Sequence, residues 1–503
     1  MKAIRIFFVW LALPLVARAT THIHDANDLW IVPDESGWGL NLFHQGDTLF
    51  ASLFVYGPDG RAKWYTASSL AGSDGGPLGD HPALYSGPLY ETTGPAIGGP
   101  FDPSRVTREQ VGTMTIELGT QKFPTDTQLR NYAMVFYSVD GVQVSKKTFP
   151  FSFVRMGLTG SYTAYEANWN GFRDQVNMNV TLNGDSFAMA TTSAIFGSCT
   201  FSGRQEADGS LFHVEGTYSC GSGQSGTFTL KDVDVTRHGF TASFGSTTLQ
   251  VTQIAAQRTS SAIRGDGYNT DLWWVPAENG WGLNIIEEGD VLFGTLFVYD
   301  AAGQPHWYSA SDLTYSPPSG SPTDSNGVYT GPLYESTGPY FGTSFNAAAV
   351  TRRQVGSMRF ESFGNNTAYL DYTADGVTVT HKQLSRAAFR VNTLAGAYAA
   401  HILASQGFND RGVQVGPQNM NISQSGDAIT LTAQGNFGTC TMRGTVSQYG
   451  RQLMASGPYD CGGPIIGQLQ LTDLYPTLYG FTGTASMDGF PIGRIEGVRT
   501  VPP

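Results

Sequence analysis

The chain has 503 residues, with 29 basic against 41 acidic side chains and a formal net charge of −12 at pH 7. That balance excludes a general nucleic-acid binder, whose electrostatic footprint would be basic. Only 14% of residues are charged while 12% are aromatic and glycines number 62, which excludes a disordered chain and suits a turn-rich β protein.

Lys2 and Arg5 precede the apolar run Ile6 to Val16, and Ala17-Arg18-Ala19 follows. This is the order of a secretory signal peptide, residues 1–19, with cleavage after Ala19. Pro14 interrupts the run, which is too short to span a membrane, and no later stretch reaches 18 consecutive apolar residues. The expected product is secreted or periplasmic, with no transmembrane segment once the leader is removed. It would begin Thr20-Thr21-His22, a free amine and two amides ahead of an imidazole, a set that suits square-planar Cu(II). His22 is therefore the candidate metal ligand, although a chance histidine is the simpler account. No other metal and no cofactor is expected.

The remainder is one unit written twice. Asp28 to Tyr56 and Asp271 to Tyr299 share 19 of 29 positions. The match continues through Trp64-Tyr65 and Trp307-Tyr308, then YSGPLYETTGP against YTGPLYESTGP, and VTREQVGTM against VTRRQVGSM. It weakens after residue 157 but persists in NMNVT against NMNIS and FGSC against FGTC. Repeats of this kind take precedence over any guess at a fold. Each copy divides into an aromatic-rich segment and a smaller cysteine-bearing one. The expected domains are A1 (20–156), B1 (157–258), A2 (263–391) and B2 (392–503). The polar stretch Gln257 to Ser261 reads as the linker between copies.

Along each copy the pattern is that of strands. From Thr48 to Tyr56, Leu49, Ala51, Leu53 and Val55 alternate with Phe50, Ser52, Phe54 and Tyr56, and the second copy repeats the alternation. Gly-Asp and Asp-Gly turn signals such as Gly46-Asp47 and Asp140-Gly141 separate the runs. Asp102-Pro103 and Asn346 offer caps for one helical turn in each A segment. The expected fold is all-β: antiparallel meander units closing as small barrels or sandwiches, in A-B-A-B order.

The A segments resemble a repeat domain of exported bacterial proteins, mostly described as uncharacterised. Its signature reads here as Glu35 to Leu42, Gln45-Gly46-Asp47, Leu49 to Ser52, Tyr56 to Gly60 and Trp64-Tyr65. The second copy departs at Asn279, at Glu288 in place of Gln, and at Asp300 to Gly303. The resemblance covers about half the chain and implies an exported β domain. It transfers no catalytic residue.

Side chains able to carry chemistry can be tested by their presence in both copies. The cysteines pass: Cys199 and Cys220, like Cys440 and Cys461, stand 21 positions apart in matching contexts. In an exported chain this predicts the bridges Cys199–Cys220 and Cys440–Cys461. Histidine fails, since His44 faces Glu287 and His306 faces Lys63. A doubled Ser/His/Asp or Cys/His site is thereby excluded. Calcium-type sets such as Asp266, Asn269 and Asp271 lack the spacing of a complete loop. Among carboxylates, Glu35 with Glu91 and Glu278 with Glu335 are the pairs a glycosidase-like hydrolase would use. For Glu91 and Glu335 the alternative is a structural ion pair with Arg108 and Arg352.

The aromatics carry the strongest signal. Trp38, Trp281, Trp64 and Trp307 suit a β core. But Trp64 and Tyr65, like Trp307 and Tyr308, are neighbours on a strand and point to opposite faces, so one ring of each pair must leave its core. A neighbouring domain or a ligand has to cover that second face. The reading is an exported, non-catalytic binding or scaffold protein of the envelope or medium. Its ligand site would be built on Trp64, Tyr65, Trp307 and Tyr308 with Trp38 and Trp281, for a polysaccharide or another envelope component. The alternatives are a secreted hydrolase and a purely structural envelope protein.

Overall fold

A computed structural model describes residues 26–73, 83–122, 129–154, 157–168, 171–236, 238–259, 269–316, 325–364, 366–404, 418–435 and 438–500. It contains four closed barrels of eight antiparallel strands each. They span residues 28–150 (A1), 160–258 (B1), 271–386 (A2) and 396–499 (B2). Within each barrel successive strands pair, and the last returns to the first, which removes the exposed edges an open sheet would leave. The leader, with Thr20 to His22, lies outside the described residues, and so does Trp169.

Period-two alternation generates these barrels. In the strand Thr48–Tyr56, Leu49, Ala51, Leu53 and Val55 enter the core of A1 with Trp30, Tyr85 and Ile116. B1 is filled by a different, Phe-rich set that includes Phe201, Phe228 and Phe244. Side chains occupy the barrel interiors, as is usual for eight strands. These interiors are apolar, the reverse of the polar lumen of an outer-membrane barrel.

Local chemistry closes the hairpins. Asp140-Gly141 and Asp375-Gly376 both adopt positive φ, at 48° and 83° and at 46° and 83°, the conformation a two-residue turn demands. The capped turns are short 3-10 helices, Pro103–Arg105 and Ala347–Ala349, whose Ser104 and Ala348 amides donate to the side chains of Asp102 and Asn346. The two disulfides join Cys199 to Cys220 and Cys440 to Cys461, and Cys199 and Cys220 lie directly opposite on paired strands.

One expectation is corrected at the end of B1. Gln257 and Arg258 are not linker but the end of the strand Gln253–Arg258, and both are fully buried. The Arg258 guanidinium lies over the Tyr162 ring and donates to the Gly157 and Thr159 carbonyls. A polar sequence had hidden an arginine that plugs its barrel.

The barrels associate by like pairs. A1 and A2 join through a second apolar cluster outside both cores, built from Leu29, Phe43, Phe54, Tyr56 and Trp64 with Ile286, Phe297, Tyr299 and Trp307. Its polar contacts come in reciprocal twos. Trp64 Nε1 donates to the Val298 carbonyl and Trp307 Nε1 to that of Val55, each at 3.0 Å. Asn41 Nδ2 donates to Thr295 Oγ1 at 3.1 Å, and Asn284 Nδ2 to Ser52 Oγ at 3.0 Å. Such exchange is the mark of a two-fold interface, here formed within one chain.

B1 meets B2 through Tyr165, Ala167, Ala255, Ala399 and Val498, with the Tyr165 ring 4.5 Å from that of His401. Two straps lace the copies together. The segment after A1 gives its Phe153 and Val154 amides to Glu288 of A2, and the segment after A2 gives those of Phe389 and Arg390 to Gln45 of A1.

Candidate functional site

The aromatic pairs sit differently from the expectation. Trp64 and Trp307 do leave their barrels, but into the interface between A1 and A2, where they are 3% and 2% exposed. Tyr65 and Tyr308 point inward and are buried at 1% and 8%. A neighbouring barrel, rather than a ligand, covers the second face. Neither ring of either pair is presented to solvent, because two aromatic faces bury more apolar area against each other than either could alone.

The carboxylates are equally committed. Glu35 accepts the Trp38 indole N–H at 3.0 Å, and Lys146 Nζ lies 2.6 and 2.7 Å from its two oxygens. Glu278 repeats this with Trp281 at 2.9 Å and with Lys382 at 2.7 and 3.0 Å. Glu91 pairs with Lys63 at 3.0 Å, and Glu335 with Arg353 at 2.5 Å and His306 at 3.3 Å. Arg108 and Arg352, the expected partners, instead lie over the rings of Tyr90 and Tyr334. Among the described residues no hydrogen bond joins Glu35 to Glu91 or Glu278 to Glu335, and each acid has its own cation.

Positions that fail to match in sequence still share a role. His306 stands where Lys63 stands, and each faces the matching glutamate of its own copy, Glu335 and Glu91. His44 lies 3.4 Å from the Tyr85 hydroxyl, while Glu287 in its place accepts from Tyr329 at 2.8 Å. Of the calcium-type residues Asp266 lies outside the described ones; Asn269 donates to Glu287 at 3.1 Å, and Asp271, like its counterpart Asp28, accepts an amide of the attached B barrel, from Arg451 and Ser210 respectively. Among the described residues no group of three or more His, Cys, Asp or Glu side chains could hold a metal ion.

Among the described residues a polar-rimmed cavity of about 840 Å³ lies between A1 and B1 beside Phe149 and Arg204, and two further cavities lie against A2. The first is a groove of about 310 Å³ beside the A1–A2 interface, walled by Phe50, Trp64, Trp274, Trp281, Phe297 and Phe389. Its polar lining is neutral: Ser52, Thr66, Ser68, Thr92, Asn279 and Asn284. Trp274 is half-buried, and the corresponding residue of A1 is Ile31. Ala387 lines this groove, whereas Phe151 occupies the matching place after A1. Trp274 and Ala387 are departures from the repeat, and a search for shared residues passes over them.

The second cavity, about 230 Å³, lies at one end of A2 under Glu278, Trp281 and Lys382. A loop from A1 containing Pro95 to Gly99 closes one side. The corresponding space at the end of A1 is only about 10 Å³. Lys146 and Lys382 also escape the repeat test. Counting from Asp140 and Asp375 aligns Lys146 with His381, but a one-residue bulge with His381 at φ 51° restores Lys382 to the position opposite Leu370.

The chain matches no family model and no curated protein.

Proposed function

We propose that this chain is an exported, non-catalytic binding protein of the cell envelope or medium, and that its ligand is a neutral glycan held in the groove beside the A1–A2 interface. The observation that carries the reading is the groove's chemistry: indole and phenyl walls with hydroxyl and amide groups between them, and, among the described residues, no ionisable side chain in its lining. Sugar rings present C–H faces that lie against aromatic rings, while their hydroxyls need neutral donors and acceptors at the margin. The leader pattern and the two disulfides support export, since such bridges persist in oxidising compartments. The resemblance of the A segments to an exported bacterial repeat domain agrees with this. A scaffold role is compatible with it, because the barrels bury so much of one another.

The test is calorimetric titration of the mature chain with soluble neutral oligosaccharides, alongside Trp274→Ala. Trp274 is half-buried, so the variant should keep its melting temperature while affinity falls by about tenfold, the worth of one stacked ring. Unchanged affinity in the variant removes the groove from the reading. Release of reducing ends during the titration would instead favour the hydrolase.

A further inference from the structure

We propose that the cavity at the end of A2, under Glu278, Trp281 and Lys382, is a receptor for a single phenyl or phenol ring. The argument is independent of the glycan reading and rests on the chain's own near-symmetry. The end of A1 is built from the same parts, with Glu35, Trp38, Tyr137 and Lys146 in place of Glu278, Trp281, Tyr372 and Lys382. There the space is already filled. A loop from A2 carries Tyr340-Phe341 into it, and the Phe341 ring sits 6.0 Å from those of Tyr65 and Tyr137. At the end of A2 the matching loop of A1 carries Ala96-Ile97 instead. The occupied site thus exhibits the occupant that the empty one lacks.

The vacancy is also held open. The loop of A1 is pinned by the Gly94 amide to the Gly303 carbonyl at 3.1 Å and by the Ile97 amide to that of Tyr299 at 3.3 Å. A methyl group at Gly98 would come within 2.4 Å of Val377, so the loop already rests on its neighbour and cannot sink further. Glu278 holds Trp281 and Lys382 in the geometry found around the filled site, with the ammonium 6.0 Å from the indole centre. Tyr372 supplies a further aromatic wall, and the Glu278–Lys382 pair offers a donor and an acceptor to a ring hydroxyl. The cavity is smaller than a typical drug-sized pocket and suits one ring with a short substituent.

Such a ring can come from a free phenolic molecule or from the side chain of a polypeptide, and the test separates them. The mature chain is titrated with p-cresol and, separately, with the capped tripeptide acetyl-Gly-Tyr-Gly-amide, by calorimetry and tryptophan fluorescence. One p-cresol site is expected, with a dissociation constant on the order of 1 mM or below for so small a ligand. In the double variant Ala96→Tyr/Ile97→Phe, which copies the filled site, p-cresol binding should be lost with the melting temperature kept and glycan titration unaffected. In Tyr340→Ala/Phe341→Ile the stoichiometry should rise from one to two. Tighter binding of the tripeptide than of p-cresol assigns the site to polypeptides, and the reverse assigns it to free phenols. Absence of p-cresol binding, or binding indifferent to both double variants, overturns the proposal.

Discussion

At the scale of single residues, the most consequential position is one where the two copies disagree. Gln45 in the first copy accepts two strap amides and returns its own N–H to the Ala387 carbonyl at 2.9 Å. Glu288, in its place in the second, accepts the same kind of amides with one oxygen, while the other, Oε1, has no partner among the described residues. Burial, and then the nearby Asp28 charge, push Glu288 up to about 9. Burial likewise lifts Asp28 to about 7, against the amides of Ser210 and Leu29, which act the other way. Both folded values lie above the ordinary ones, so the folded state holds protons that the unfolded chain has released. The stability these groups contribute is complete below about pH 4 and is lost as pH rises through 7 and then 9. Glu288→Gln should therefore raise the urea midpoint at pH 9 and change it little at pH 5. The gain should be on the order of 1–3 kcal/mol, the cost of ionising a buried carboxyl, which Gln does not bear. An equal shift at both pH values would show that packing, not ionisation, is responsible.

The interface tryptophans belong to the same scale. Trp64→Ala removes a buried ring from between the barrels together with its hydrogen bond to the Val298 carbonyl. The expected loss is about 3–5 kcal/mol, read as a fall in the denaturant midpoint. An exposed ligand-binding tryptophan would tolerate the same change.

Among elements, the disulfides make a local contribution. Cys199 and Cys220 tie neighbouring strands of B1 that its Phe-rich core already packs together. Replacing both by alanine should cost B1 about 3 kcal/mol, by the closure entropy of a loop of that length. Calorimetry should show the B1 transition falling while those of A1 and A2 hold.

Elements also show what could be read in advance. The strand Thr48–Tyr56, the Asp140-Gly141 turn, the Asp102 cap and both bridges follow from local rules of alternation, positive φ, side-chain capping and spacing. Arg258 did not, because a polar residue closing a barrel end looks like any polar linker residue. Nor did Lys382, since a bulge changes the count along the strand without changing the position in space. The candidate site was legible only as a constraint. Alternation required something to cover the outer face that bears Trp64, but a strand pattern carries no record of which surface covers it. The groove and the ring pocket were illegible for the opposite reason: each exists because of a residue, Ala387 or Ile97, that departs from the repeat.

For the whole molecule, the two copies behave as two subunits sharing a chain. Residues 26–259 and 269–500, produced as separate polypeptides in one cell, should therefore assemble one to one, with sedimentation giving a single species near the mass of the intact protein. The first half alone exposes Phe54, Tyr56 and Trp64, an apolar face too large to stay solvated, so it should self-associate. A monomeric, soluble first half would mean that the interface adds little.

The fused two-fold also sets the way this protein can vary. In a true homodimer every substitution appears twice, and a change that hollows one end of the assembly hollows the other. Here a single exchange touches one side only. One half can go on guarding the architecture with Tyr340 and Phe341 plugged into A1, while the other is free to trade bulk for vacancy. Asymmetry of this kind costs the assembly no second copy of each defect, and the groove and the ring pocket both lie against the same barrel.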